Sequence, residues 1–181
     1  METETLTLGA IDTALGRLLV GATEQGVAYL SFKDTPGARA RAVTRVGLPV
    51  ADDPDRTAKA MEGLAAYFGG GSVTFDVPID WRLTSDLQRT VLTALYERVP
   101  YGKVVTYGEL DRISGADVGA QAIGQVMGGN PIPVIVPCHR VVAANGLGGY
   151  SGGSGVEVKR WLLTLEGSEP ATLDWDPAVG P

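Results

Sequence analysis

The chain's single cysteine, Cys138, stands directly beside its single histidine, His139. These two side chains together can make a sulfur nucleophile. A thiol with the ordinary pKa of ~8.5 is only a few per cent ionised at neutral pH, so it attacks efficiently only with a base nearby. The pair lies in PVIVPCHRVVAANG, between the apolar runs Val134-Ile135-Val136 and Val141-Val142. Successive residues of an extended chain point to opposite faces, so the two groups are not expected to form a simple side-by-side ion pair. A buried inert cysteine and a core histidine are the plain alternatives. One cysteine forms no internal disulfide, and one cysteine with one histidine falls short of a four-ligand zinc site. The expectation is chemistry at sulfur with no metal and no organic cofactor.

Two differently textured halves must position this pair. Residues 1–80 read as an α/β domain. LTL, GRLLVGAT and GVAYLSF are short strands, with Glu24-Gln25-Gly26 as a hairpin turn. ARARAVTRV predicts a short helix. Met61, Leu64, Ala65 and Phe68 follow the spacing of an amphipathic helix that Gly69-Gly70-Gly71 stops. Val73, Phe75, Val77 and Ile79 alternate like a half-buried strand, and IDWRLTSD reads as the linker.

From residue 84 to 168 the pattern is mainly helical. Ser85 with Gln88 predicts a capping box, ahead of an inward face at Leu87, Val91, Leu92 and Leu95. VPYGKVV is a turn. Thr106 caps a helix reaching Ile113, and Ser114-Gly115-Ala116-Asp117 makes a corner. Val118, Ala122, Ile123 and Val126 then continue a second helix to Met127, a helix-turn-helix candidate. The last helix spans about 156–166, with Val158, Trp161, Leu162 and Leu165 inward. The Pro-rich, acidic residues 169–181 are expected to be a disordered tail.

Composition narrows the class further. The 181 residues carry a formal net charge of −6, which speaks against broad, non-specific nucleic-acid binding but leaves room for a local site. No apolar run of about 18 residues exists, so no membrane helix is expected. The acidic, polar start METETLTLGA is unlike a secretory signal. A free thiol fits a reducing compartment, and the expectation is a cytoplasmic protein.

The string N-P-I-P-V-I-V-P-C-H-R-V-V, Asn130 to Val142, closely resembles the active-site signature of the O6-alkylguanine-DNA alkyltransferases. VPYGKVVTYGEL resembles the segment leading into that family's helix-turn-helix, and YSGGSGVEVKRWLLTLEG its C-terminal block. The resemblance covers about 85 residues, 84–168, while residues 1–80 match only in style. It implies a small ribonuclease-H-like α/β domain (sheet plus helix), followed by a mainly α domain with a helix-turn-helix. It further implies a DNA-repair protein that moves an alkyl group from O6-alkylguanine, or from O4-alkylthymine, in double-stranded DNA to its own cysteine, irreversibly and once, as a monomer. The target base must leave the duplex to reach a buried thiol.

Carried over by position, Cys138 would be the nucleophile, His139 its base acting through a water, and Glu166 the group holding the imidazole. Glu166 has independent support: a carboxylate in the last turn of a helix opposes the dipole, so a compensating partner is expected. Asn130 would brace the active-site turns. Tyr107 would press on the target phosphate and hydrogen-bond the flipped base. The Val141 carbonyl would take the guanine amino group, Tyr150 and Ser151 would form the opposite wall, and Pro133 would pack on the alkyl group. Lys159 matches a family lysine near the pocket. Gly119, Ala120, Gln121, Gly124 and Arg140 would face DNA.

The resemblance has one departure. The family places an arginine where this chain has Gln121, and relatives often carry a lysine where Val118 stands. Residues 81–130 hold five basic residues (Arg82, Arg89, Arg98, Lys103, Arg112) and five acidic ones (Asp86, Glu97, Glu109, Asp111, Asp117), a net of zero. A weakened grip on DNA is expected. Two alternatives stay open: a paralogue acting on a non-duplex or small-molecule alkyl donor, and a damage-sensing DNA-binding protein. The presence of Cys138 argues against the second. A Cys-His hydrolase fits least, because no oxyanion-hole motif is evident.

Overall fold

Alternating apolar residues near the start of the chain build an antiparallel meander. In the computed structural model, which describes residues 3–71, 73–150, 152 and 155–168, β1 (Thr7–Thr13), β2 (Gly16–Thr23) and β3 (Gly26–Ser31) pair in the order β1-β2-β3. β1 runs longer than LTL, because Gly9 to Asp12 stay in register opposite Val20 to Arg17. The segment after the first helix pairs parallel with the start of this sheet: Leu6 N–H donates to the Pro49 carbonyl, and Ala51 N–H to that of Leu6.

Two helices cover the sheet. The first, α1 (Pro36–Val46), starts at Thr35, whose side chain accepts the Ala38 N–H. It seats Ala38 and Ala42 against Leu19 and Tyr29. The second, α2 (Pro54–Phe68), differs from the sequence reading in its rotation. Its buried residues are Thr57, Ala60, Leu64 and Tyr67, whereas Met61 and Phe68 are half-buried and Ala65 is exposed. Two apolar stripes overlap on this helix, one residue out of phase. Tyr67 wins the interior, resting edge-on against Phe68 and tilted over Phe75.

The alternating stretch at residues 73–79 buries Phe75 and Val77 as expected, but it forms only an isolated bridge between Val27 and Ile79. Pro78 has no N–H to donate, so a continuous ladder cannot form there. A polar seam closes this region, where the buried Asp80 carboxylate accepts from the Thr23 hydroxyl and the Arg82 guanidinium. A turn of 3₁₀ helix at Trp81–Leu83 ends the first compact unit, Met1–Leu83.

The second unit, Thr84–Pro181, opens with α3 (Asp86–Arg98). The Ser85–Gln88 capping box forms with both bonds in place. Val91, Leu92, Ala94 and Leu95 turn inward, and Leu87 is exposed instead, one turn too early to meet the core. β4 (Val105–Thr106) leads into α4 (Tyr107–Ser114), capped by Thr106 and Glu109 in a second capping box. After a five-residue turn comes α5 (Ala120–Gly128), which buries Ile123, Val126 and Met127. Val118 lies before this helix and is exposed, so it is not part of the inward stripe.

Residues 132–137 are irregular rather than a strand, and Val134 has positive φ. β5 (Val141–Val142) pairs parallel with β4, and α6 (Val156–Leu165) closes the unit. α6 buries Val158, Lys159, Trp161, Leu162 and Leu163, whereas Leu165 is only half-buried. Residues 169–181, expected to be a disordered tail, lie outside the described residues, as does Ser151. Among the described residues, no helix is long and apolar enough to cross a membrane.

Candidate active site

The β4–β5 pairing sets out the site. It places Val105 against Val141 and Thr106 against Val142, so the start of α4 is held close to the cysteine turn. Cys138, His139 and Arg140 form a single turn of 3₁₀ helix rather than an extended segment. Successive residues of such a turn diverge by about a third of a circle. Cys138 and His139 therefore still point apart, for a different reason than strand alternation. All three side chains are buried.

His139 is held from behind. Its Nε2 lies 2.6 Å from Glu166 Oε1, with both side chains fully enclosed. Glu166 stands at the C-terminal cap of α6 and lacks the helical complement that a cation would find there. Its compensation comes from His139 and also from Arg140, whose Nε donates to Oε2 at 2.9 Å and whose second terminal nitrogen donates to Oε1 at 3.0 Å. The remaining terminal nitrogen of Arg140 donates to the Val99 carbonyl at 2.8 Å. The guanidinium also lies 5.9 Å from the Tyr101 ring centre. Arg140 was expected to contact DNA. The structure instead buries it as the clamp on Glu166, because a carboxylate inside the fold needs a paired, hydrogen-bonded cation.

The charges follow from this geometry. Burial works against ionisation of Glu166, but the hydrogen bonds from His139 and Arg140, with the Arg140 charge, outweigh it and bring the carboxyl down to about 2. Burial pushes the His139 pKa below its usual value; Glu166 opposes that shift, and the charges on Arg140 and Lys159 add to it. His139 is thus kept neutral at neutral pH. Burial raises the Cys138 thiol, and hydrogen bonds from the Asn130 and Tyr150 side chains, with the Lys159 charge, pull it part of the way back.

Asn130 also organises the approach to the thiol. Its Nδ2 donates to the Val136 carbonyl at 2.9 Å, and its Oδ1 accepts the Ile132 N–H at 3.0 Å. One amide therefore pins both ends of the irregular segment before Cys138. Lys159 is fully buried, and its ammonium donates to the Val141 carbonyl at 2.7 Å and to the Gly149 carbonyl at 3.1 Å. Burial lowers its pKa to about 8, with the nearby thiolate acting in the other direction. Lys159 thus lies inside the domain, close to the pocket, rather than on the surface. The Val141 carbonyl, expected to meet a guanine amino group, already accepts a bond from Lys159.

A cavity of about 390 Å³ opens onto Cys138, walled by Tyr107, Tyr150 and Gly124. Met127, Gly128 and Gly149 complete its lining, and none of the three was picked out from sequence. Gly124 thus belongs to the cavity wall, where an added Cβ would stand 3.8 Å from the Tyr107 ring. Gly148 is tighter: a Cβ there would come within 2.7 Å of the Tyr107 hydroxyl, and its φ is +73°. Pro133 is half-buried, with its carbonyl turned to the Ile135 N–H. Gly119, Ala120 and Gln121 are exposed at the start of α5. Among the described residues, no group of three or more His, Cys, Asp or Glu side chains is placed to hold a metal ion.

A buried thiol opens onto a small cavity, beside hydrogen-bonded His139, Glu166 and Arg140, and the chain that carries it has clear relatives. Residues 86–168 match the family described as 6-O-methylguanine DNA methyltransferase, DNA binding domain. A methylated-DNA–protein-cysteine methyltransferase of Methanosarcina acetivorans is 36% identical over 160 residues, covering 87% of this chain and 96% of the relative. The protein of that name from Homo sapiens is 34% identical over 165 residues, covering 87% of this chain and 78% of the relative. Among solved structures, Mycobacterium tuberculosis OGT in complex with DNA superposes with a TM-score of 0.73 at 37% identity, covering 92% of this chain and 96% of that one. The chain belongs to the methylated-DNA–protein-cysteine methyltransferase family.

Proposed function

We propose that this protein repairs alkylated DNA by moving an alkyl group from O6-alkylguanine, or from O4-alkylthymine, to Cys138, once per molecule. The observation that carries this reading is the buried thiol opening onto the cavity beside Tyr107 and Tyr150, with a neutral His139 on an ionised Glu166 behind it. Sulfur attacks the alkyl carbon, a C–S bond forms, and the carbon–O6 bond breaks. The thiol proton passes to His139 through a water. Guanine leaves with the electron pair of the broken bond and takes up a proton. Thioether formation cannot be undone by this site, so the protein is consumed.

In this reading α4 and α5 are a helix-turn-helix, with Gly119, Ala120 and Gln121 presented to the duplex and the target base flipped into the cavity. Ser151 would contribute to the cavity wall, Pro133 would pack on the alkyl group, and Tyr107 would meet the extruded nucleotide. Residues 84–168 form the alkyltransferase domain. Residues 1–80 are read as a ribonuclease-H-like domain, supported by the β1–β2–β3 meander and the parallel pairing at Leu6 and Val50. The working unit is a monomer in the cytoplasm. Peptide mapping by mass spectrometry after incubation with duplex DNA containing O6-methylguanine tests the proposal. One added methyl on Cys138 per protein is expected. Many product molecules per protein, or an unmodified Cys138, would overturn it.

A further inference from the structure

The start of α5 carries no cap of its own. Its N-cap residue is Gly119, which has no side chain to accept an N–H, and the first turn holds no acidic residue. The turn before it is awkward for the backbone, with Gly115, Asp117 and Gly119 all at positive φ. The missing acceptor comes from the preceding helix. Asp111 Oδ1 accepts the Val118 N–H at 3.0 Å, and Oδ2 accepts the Gly119 N–H at 2.9 Å. The same residue ends α4, since its carbonyl accepts the Gly115 N–H at 3.1 Å and the Ser114 hydroxyl at 3.0 Å. One residue thus closes one helix and opens the next. The α4 end is itself anchored to α3 by Arg98, which donates to the Ile113 carbonyl at 3.0 Å.

We infer that Asp111 is a positioning residue for duplex DNA: its two carboxylate oxygens hold α5 at the angle from which Gln121 and its neighbours engage the helix. This rests on the functional reading above. A carboxylate at a helix start is electrostatically favoured there and satisfies donors that would otherwise need water. It also places a negative charge where a DNA-facing surface would be expected to avoid one. The inference is therefore that geometry outweighs repulsion at this position. Asp111 lies away from Cys138, His139 and Glu166 and takes no part in the thiol chemistry.

The test compares the full chain with its Asp111→Ala and Asp111→Asn variants on two substrates. One is duplex DNA carrying O6-methylguanine at sub-saturating concentration; the other is free O6-benzylguanine, which needs no extrusion from a stack. Loss of a helix cap typically weakens its helix by about fivefold in equilibrium terms, so Asp111→Ala should slow the duplex reaction by about that factor or more. The free-base rate should stay within about twofold of the parent. Asp111→Asn should fall between, because its amide keeps one acceptor oxygen and turns an N–H toward the other donor. A faster duplex reaction in both variants would show that repulsion dominates and overturn the inference. An unchanged ratio of duplex to free-base rates, including an equal fall of both, would assign Asp111 to general stability and overturn it too. If the parent alkylates Cys138 from neither substrate, the functional reading fails rather than the role of Asp111.

Discussion

Arg140 meets both carboxylate oxygens of Glu166 with one edge of its guanidinium, so the carboxylate that holds His139 is shared rather than devoted to it. Sharing matters because a lone buried glutamate would draw a proton onto the imidazole and leave no base. Burial keeps His139 below its usual pKa, and the Arg140 charge adds to that by offsetting the pull of Glu166.

The first expectation concerns the relay itself. His139→Ala and Glu166→Gln should slow alkyl transfer near pH 7 by ~10²–10⁴-fold, the usual worth of general-base assistance. Duplex affinity should be unchanged, since both side chains are fully enclosed. Single-turnover rates beside gel-shift affinities decide it, and rates equal to the parent at pH 7 would remove both residues from the mechanism.

Arg140 should reveal itself through pH. Its charge lowers the His139 pKa, so removing it raises that pKa, and the low-pH limb of the rate profile should move to higher pH in Arg140→Met. Arg140→Lys restores the charge and should recover most of the shift, though not the two-pronged bond. Breaking a buried pair from one side costs about 3 kcal/mol or more, so Arg140→Met should also melt at a lower temperature. A lowered melting temperature with an unmoved profile would leave Arg140 a structural role only.

The cavity wall offers a paired test. Gly148→Ala must drive a methyl into the Tyr107 hydroxyl while holding a positive φ, and should abolish the reaction with free O6-benzylguanine as well as with DNA. Gly124→Ala sits at ordinary packing distance from the same ring and should keep most of the activity. Comparable losses in both variants would show that the Tyr107 position is not what distinguishes them.

Placing a cation at Gln121 probes the weak point in the proposed DNA surface. Gln121→Arg should tighten duplex binding and steepen its salt dependence, by up to about 0.9 in the slope of log K against log salt for one phosphate neutralised. The free-base rate should not change. A flat duplex-to-free-base ratio, with the parent already fast on duplex, would show that glutamine is an adequate wedge. A parent that reacts with the free base and leaves duplex DNA untouched would favour a small-molecule alkyl donor.

Local rules carried far in this chain. The capping box at Ser85 and the cap at Thr106 follow from spacing, because caps depend on residues three apart; Glu109 completes a second box at Thr106 that was not singled out from sequence. What failed was global. The inward face of α2 lies one residue from the stripe that spacing alone suggests, since Met61/Phe68 and Ala60/Tyr67 make equally good stripes until a partner surface selects one. The strand at 73–79 read well by alternation but could not build a ladder through Pro78. Arg140 illustrates the same limit at the site: beside a cysteine motif it resembles a phosphate ligand, and only the fold reveals the glutamate 26 residues away that claims it. Asp111 gave no signal at all, because the donors it serves become available only once the turn after α4 has bent back.

The seam between Thr23 and Asp80 also sets an order of assembly. β1, β2 and β3 join residues close in sequence, and such hairpins form within about ten microseconds. The seam instead links positions 57 residues apart, and the backbone bridge, in which the Val27 N–H donates to the Pro78 carbonyl and the Val27 carbonyl accepts the Asp80 N–H, closes over a similarly long stretch of chain. Synthesis delivers the meander first and its closure last. During that interval the outer edge of β3 has no partner, and an open edge is where one chain pairs with another. Pulsed hydrogen exchange during refolding should therefore protect the Val20 amide before those of Val27 and Asp80, with the vulnerable window ending when the final segment of the first unit docks.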